Sequence, residues 1–232
     1  MIRSSVAACK TSNGEGPLQS LVFKTVPVIP LRQEIDLKDE TREQTTRLVR
    51  QLFFSGARVP QVVVFSGVER GTGCTWVCAR SADLLSQHCD GPVCAVDADF
   101  RSPSLHGHFE LDLPGETNKG TSSSNLWLLS PALEGPEIHS PQSFERLRSR
   151  ISELRGTFTH ILIDGPPINT DSDVVLLSEV ADGLVMILEA NDTRREAALK
   201  AKESLNAAGV PLLGAVLNKR TFPIPEKLYK RL

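Results

Sequence analysis

Short runs of β-branched and aromatic residues alternate with longer amphipathic stretches over most of this chain. Apolar runs of four to seven residues, bounded by Gly, Pro or Asp, read as buried strands. They fall at Val62–Phe65, Val93–Val96, Leu126–Leu129, His160–Asp164, Leu184–Leu188 and Leu212–Asn218. Apolar positions three and four apart predict helices between them. These cover 38–55, 76–87, 144–154 and 193–208, with a further helix capped by Asp171 or Asp173. In the 144–154 helix, Phe144, Leu147, Ile151 and Leu154 form one stripe with charged residues opposite. The 193–208 helix is expected to start at Asp192 or Thr193 and to stop at Gly209.

Strands that alternate with helices imply right-handed crossovers. The fold class is therefore α/β, a parallel sheet with helices on both faces in three αβα layers. Residues 1–37 stand apart as an N-terminal arm or an edge segment, because Gly14 and Gly16 punctuate them and Pro17, Pro27 and Pro30 block long helices. Leu21-Val22-Phe23 is its candidate for docking on the sheet. The main domain runs over 38–222, and Pro223 and Pro225 separate it from a basic tail, 223–232. Residues 107–125 lack periodicity and read as a loop.

One junction carries most of the chemistry. After Val62–Phe65 comes Ser66-Gly67-Val68-Glu69-Arg70-Gly71-Thr72-Gly73-Cys74-Thr75, then the 76–87 helix. Strand, glycine loop and helix build a phosphate cradle: glycines turn backbone N–H groups toward an anion, and the helix N-terminus adds partial positive charge. The P-loop pattern ends in Gly-Lys-Ser/Thr. Here that place reads Gly73-Cys74-Thr75, so the hydroxyl is present and the lysine is not. Two other strands end in acids. Val93–Val96 leads into Asp97-Ala98-Asp99-Phe100-Arg101, and His160–Ile163 into Asp164-Gly165-Pro166-Pro167. Ligands of open α/β sheets bind at that edge. Carboxylates there hold a hydrated Mg²⁺ or accept a proton from a hydroxyl. The plainer alternative for the first is a polar turn in which Asp99 pairs with Arg101.

Composition narrows the field. Hydrophobic residues make up 40% and charged residues 23%, ordinary for a globular protein, and a net charge of -2 gives no reason to expect nucleic acid. The five cysteines match no metal spacing, so reduced thiols are expected. Cys74 and Cys78 share a helix face, and a helix N-terminus can activate a thiol such as Cys74. No apolar run approaches the ~20 residues that cross a bilayer, and the start is too short and interrupted for a signal peptide. A cytoplasmic location follows, with any membrane role needing a partner.

The order of these motifs resembles the kinase domain of the bacterial tyrosine kinases (BY-kinases) of capsule and exopolysaccharide synthesis, the CpsD/CapB family, relatives of the MinD/ParA P-loop ATPases. The resemblance covers about residues 40 to 220. Its most specific piece is Val96-Asp97-Ala98-Asp99-Phe100-Arg101-Ser102-Pro103-Ser104-Leu105-His106, similar to the family's second Walker motif. Ile161–Pro167 is similar to its Walker B, and Ala181-Asp182-Gly183, the 193–196 helix start and Gly214–Lys219 also fit. The resemblance implies a P-loop NTPase-type sheet binding ATP or ADP with Mg²⁺. Gly71, Thr72, Gly73, Cys74 and Thr75 would line the nucleotide, and Asn218 would lie near the adenine. Thr75, Asp97, Asp99 and Asp164 would form the metal site. The catalytic set would be Asp97, Asp99 and Arg101: Asp97 would be the base or the metal-linked carboxylate for the incoming tyrosine hydroxyl, Asp99 and Asp164 would complete the metal site, and Arg101 would stay near the phosphates or hold Asp99. Implied partners are a membrane-bound polysaccharide chain-length regulator and further copies of the chain. They would recruit the protein to the inner face of the plasma membrane without insertion.

The sequence departs from the family at five places. Cys74 replaces the P-loop lysine, and Glu69 stands where MinD/ParA proteins carry a signature lysine. Tyr229 is the only tyrosine, where the family has a C-terminal cluster. The interval from Phe109 to Leu126 is short. The interaction helix, 38–56, keeps Arg47 and Arg50 of the family's Glu-x-x-Arg-x-x-Arg motif, but Gln44 occupies the acid's place and Glu43 is one residue off. A charge-assisted hydrogen bond contributes roughly 1.5–3 kcal/mol, so losing the lysine weakens nucleotide binding about ten- to a hundredfold. Chemistry suffers more, by ~10²–10³ in rate, because the charge acts mainly in the transition state. Arg70 is a candidate substitute cation. Three functions fit: a tyrosine autokinase acting on Tyr229, a pseudokinase that scaffolds polysaccharide assembly, and a MinD/ParA-like positioning ATPase. The absent lysine and tyrosine cluster favour the second over the first. Glu69 and the Asp97-x-Asp99-x-Arg101 pattern disfavour the third.

Overall fold

A computed structural model describes residues 28–30, 39–55, 58–109, 125–130, 141–170 and 173–220. Seven strands form one sheet: β1 (Val28–Pro30), β2 (Val62–Gly67), β3 (Val93–Asp97), β4 (Leu126–Leu129), β5 (His160–Gly165), β6 (Gly183–Glu189) and β7 (Leu212–Asn218). Their spatial order is β1-β4-β3-β5-β2-β6-β7. Strands β2 to β7 pair in parallel, and β1 lies antiparallel on β4. Among the described residues the α-helices are α1 (Asp39–Phe53), α2 (Cys74–His88), α3 (Pro141–Leu154), α4 (Asp173–Ser178) and α5 (Arg195–Ala207), with a 3-10 turn at Leu105–His108. This is the expected α/β, P-loop NTPase-type architecture.

Successive strand residues point to opposite faces, and both faces are covered. Val62, Val64, Val96, Ile161, Ile163 and Met186 pack toward Ile151, Leu177 and Leu205 of α3, α4 and α5. Val63, Phe65, Ala95, Leu162 and Val185 pack toward Val49 and Phe53 of α1 and Val77 and Leu85 of α2. Burial on both faces explains why the strands read as unbroken apolar runs rather than alternating ones.

One helix start differs from expectation, and the edge strand falls at residues the sequence did not single out. Within the proline-punctuated arm, Val28-Ile29-Pro30 pairs with β4, an edge place that tolerates a proline. Leu21-Val22-Phe23 lies outside the described residues, as do Asp171, the stretch 110–124 and the tail with Tyr229. Helix α5 starts at Arg195 with Arg194 as its N-cap and no side-chain cap. The Thr193 hydroxyl instead accepts the Glu189 N–H at 2.8 Å. Thr193 therefore closes the turn from β6 and does not cap the helix. Gly209, at φ +70°, ends α5 as expected. On α1 the buried side chains are Thr45, Val49 and Phe53, with Leu48 and Leu52 half-buried, while Arg47 and Arg50 are exposed.

Candidate nucleotide site

Strand β2 lies in the middle of the parallel sheet, so the loop that follows it emerges between the two halves. The loop is anchored on both sides. Val68 N–H donates to Ile187 O at 3.0 Å, Ile168 N–H to Gly67 O at 2.8 Å, and Asn169 N–H to Val68 O at 3.2 Å. The Ser66 hydroxyl donates to Pro166 O at 2.5 Å. The Gly165-Pro166-Pro167 turn after β5 thus braces the cradle. Gly71 and Gly73 have φ of +87° and +77°, left-handed values that glycine adopts at little cost. At Gly73 a Cβ would also collide with the Asn218 amide.

Gly73 is the N-cap of α2, no side chain caps the helix, and its first turn holds no acid. The first-turn N–H groups of a helix need outside partners, and here no side chain competes with an anion for them. The buried Thr72 hydroxyl also lacks a partner. A 15-residue helix that begins at a glycine loop, with no side-chain cap and no acid in its first turn, fits a phosphate group at that end.

Register decides the acidic side. Asp97 at the end of β3 and Asp164 near the end of β5 are direct partners across the ladder. By the alternation of faces both carboxyls point to the α2 side. Asp97 is 0% and Asp164 2% exposed. Asp97 Oδ2 accepts Leu105 N–H at 3.0 Å and the Ser130 hydroxyl at 3.3 Å. Asp97 Oδ1 and Asp164 Oδ1 are buried with no partner. Burial chiefly pushes Asp97 up to about 7, against its bonds from Leu105 and Ser130. Burial, then the Asp97 charge, pushes Asp164 up to about 7, while the Thr75 hydroxyl and Cys74 thiol turned toward it pull the other way. Two adjacent desolvated carboxyls with orphan oxygens beside a threonine hydroxyl suit a hydrated Mg²⁺. That ion needs one or two carboxylates, with water and phosphate oxygens completing its shell. Among the described residues no three His, Cys, Asp or Glu side chains converge on a metal point.

Asp99 stands at the rim. Its Oδ1 accepts the N–H groups of Arg101 and Ser102 at 3.2 Å each, and its Oδ2 faces Arg70 at 3.6 Å. Arg101 thus meets Asp99 through its backbone N–H, and its side chain is exposed. The Ser104 hydroxyl lies 3.5 Å from that of Thr75.

Cys74 is half-buried and packs against the core on the α2 side. Burial and the neighbouring Asp164 hold its thiol well above the ordinary range. Helix-dipole activation of this thiol, weighed from the sequence, loses to desolvation and to a carboxylate on the same side. At neutral pH the Cys74 thiol is therefore uncharged.

On the opposite side of the loop, the Asn218 amide donates to Thr72 O at 2.8 Å. Lys219 Nζ donates to Gly71 O at 2.6 Å and faces Glu189 Oε2 at 3.0 Å. The sequence pointed to Asn218 only by resemblance, and it gave Lys219 no role. Its signal was its place directly after the last strand, whose C-terminal end lies at the ligand edge. The structure thus groups Gly71, Thr72, Gly73, Cys74, Thr75, Asp97, Asp164 and Asn218 around one loop, with Asp99 and Arg101 at its margin.

No protein-family model matches the chain. It is 28% identical over 179 residues to the tyrosine-protein kinase YwqD of Bacillus subtilis, covering 72% of this chain and 75% of that protein. It is 25% identical over 211 residues to the tyrosine-protein kinase ptk of Acinetobacter johnsonii, covering 84% of this chain but spanning only 28% of that protein. The solved kinase domain of the Escherichia coli tyrosine kinase ETK superposes with a TM-score of 0.64 at 19% identity, covering 83% of this chain and 86% of that domain. That superposition shows a shared fold, and the sequence matches supply the kinship. In sequence the chain is therefore similar to the bacterial tyrosine kinases of capsule and exopolysaccharide synthesis.

Proposed function

We propose that this protein is a nucleotide-binding regulator descended from tyrosine autokinases, with phosphoryl transfer slowed or lost. Cys74 carries the proposal. It is an uncharged thiol beside Asp164, at the position from which a P-loop lysine would reach the phosphates. The cradle around it is intact, so binding outlasts catalysis. Gly71 to Thr75 hold the phosphates, and Asn218 lies beside the base. Asp97 and Asp164, with Thr75, would hold Mg²⁺, which would supply charge neutralisation at the phosphates. Asp97 is the base for any tyrosine hydroxyl, and Asp99 and Arg101 shape the rim.

As a regulator, the chain is proposed to act through residues 38–222 at the cytoplasmic face of the membrane. It would bind a membrane-anchored partner of polysaccharide chain-length control and further copies of itself. The exposed Arg47 and Arg50 on α1 are the proposed contact. Among the described residues no helix is long and apolar enough to cross a membrane.

The test is a calorimetric titration with ATP and with ADP in Mg²⁺, wild type beside Cys74→Lys. The expected result is binding by the wild type, with affinity about ten- to a hundredfold higher in the variant. Phosphate transfer to Tyr229 should be faster in the variant by ~10²–10³. No binding by either protein would sink the proposal, and transfer by the wild type as fast as by Cys74→Lys would reverse its catalytic half.

A further inference from the structure

Position 74 supplies no cation to the cradle, and two other cations stand near it, one within the loop and one from the far side of the sheet. Arg70, inside the loop, leans to the acidic side and faces Asp99 at 3.6 Å. It is therefore turned toward carboxylates. Lys219 comes from the other side. It follows β7 directly, and its backbone takes the left-handed conformation at φ +55°. That conformation is unfavourable for a residue with a Cβ, and it turns the chain sharply at the end of the strand. The Nζ then rests on Gly71 O at 2.6 Å, with Glu189 Oε2 at 3.0 Å as its counter-ion. Its neighbour Asn218 grips the next loop carbonyl, Thr72 O, at 2.8 Å. Two consecutive residues thus hold two consecutive carbonyls of the phosphate loop. The Lys219 side chain remains 48% exposed, so a ligand can reach it.

Resting on the nucleotide-binding role proposed above, we propose that Lys219 is the phosphate-binding cation of this site. In this role Glu189 holds the ammonium against the loop until a nucleotide draws it onto the phosphates. A lysine ammonium is a compact charge with three donors on a flexible stem. Two of those donors are engaged in the structure, leaving a third for a phosphate oxygen. A small swing would exchange the Gly71 carbonyl for a formal negative charge.

The sheet order fixes which part of the nucleotide Lys219 serves. The acids lie on β3 and β5, on one side of β2, while Lys219 lies on β7, two strands away on the other side. With strands about 4.8 Å apart, β5 and β7 are roughly 14 Å apart. The metal side and the lysine side therefore flank the phosphate chain from opposite ends. Lys219 sits on the side of Asn218 and the base, so it meets the phosphates nearest the ribose, which ADP and ATP share. A lysine at position 74 would instead act from the helix start, beside the acids. Lys219 accordingly restores affinity without restoring transition-state charge at the terminal phosphate.

The experiment is calorimetry with MgADP and MgATP on the full chain, comparing wild type, Lys219→Gln, Lys219→Arg and Glu189→Gln. Lys219→Gln should weaken both nucleotides about ten- to a hundredfold and to the same degree. It should also flatten the dependence of affinity on salt. Lys219→Arg should recover most of the loss, and Glu189→Gln should bind more tightly than wild type. An unchanged thermal midpoint in Lys219→Gln would separate lost charge from lost structure. Wild-type binding with unchanged affinity in Lys219→Gln overturns this inference and leaves the proposed function standing. A loss confined to ATP overturns the placement at the shared phosphates. Failure of the wild type to bind either nucleotide overturns both.

Discussion

The two ends of the sheet treat their carboxylates in opposite ways. At the end where the strands begin, Asp182 accepts the N–H groups of Gln61 and Val62 at 2.7 Å each. The Arg155 guanidinium meets its other oxygen at 3.0 Å. Burial pushes this carboxyl up, but the Arg155 bond and the two N–H groups outweigh it and leave it below its usual range. At the end where the strands finish, Asp97 and Asp164 are more deeply buried and lie side by side. Each has an oxygen without a partner, and neither forms an ion pair among the described residues. Asp182 helps hold the fold together. Asp97 and Asp164 are held unsatisfied by the fold, as expected of groups kept for a ligand.

The largest expected effect on stability comes from breaking the satisfied end. Hydrogen bonds to a charged group contribute roughly 1.5–3 kcal/mol, and Asp182 is 37% exposed, which lowers its Arg155 contribution. Asp182→Ala should therefore cost about 2 kcal/mol in urea unfolding. A loss near zero would dissolve the contrast.

The opposite change should follow at the other end. Asp164→Asn removes a desolvated charge, so the metal-free protein should gain stability at pH 8, on the order of 1–2 kcal/mol. The same variant should lose the extra thermal stability that MgATP gives the wild type. If it unfolds as Asp182→Ala does, Asp164 is a structural residue.

Titration sharpens the comparison further. The Asp182 pKa is depressed on folding, so its contribution is present above the unfolded carboxylate range and is lost as pH falls through the folded value. Asp97 and Asp164 are raised from 3.8 to about 7. Their contribution is fully present below the unfolded value and is lost as pH climbs from about 4 to about 7. Wild type should thus lose stability relative to Asp97→Asn/Asp164→Asn over that window, measured by thermal melts without metal. Mg²⁺ should narrow the difference at pH 8 more than at pH 6, because cation and protons compete for the same oxygens. A pH-independent Mg²⁺ effect would contradict this.

The smallest effect is expected at Arg70. Exposed ion pairs contribute about 0–1 kcal/mol, and Arg70 faces Asp99 with half its side chain in solvent. Arg70→Ala should keep nucleotide affinity within about fivefold of wild type by calorimetry. A larger drop would make Arg70 the substitute cation that its place in the loop suggests from sequence.

Much of the site was legible because its parts are local. Val62 to Thr75 shows a strand, a glycine loop and a hydroxyl in one stretch, and Ile161 to Asp164 shows an apolar run ending in an acid. Such patterns are written in consecutive residues, where period and turn chemistry act. The start of α5 was harder, since Thr193 could either cap the helix or close the turn before it. Only the position of the Glu189 N–H at the end of β6 decides which.

By itself the sequence determined the alternation of strands and helices, the αβα class, the glycine loop ending in Gly73-Cys74-Thr75, and the acids at strand ends. It did so because buried strands, amphipathic helices and turns each leave a local signature in apolar spacing and in glycine and proline. Tertiary structure alone decided that Asp97 and Asp164 are register partners facing α2, that three residues of the arm close the sheet edge, and that Lys219 reaches Gly71 across 148 residues of chain. Those facts depend on strand order and register, which arise from packing between distant segments, and no stretch of consecutive residues encodes them.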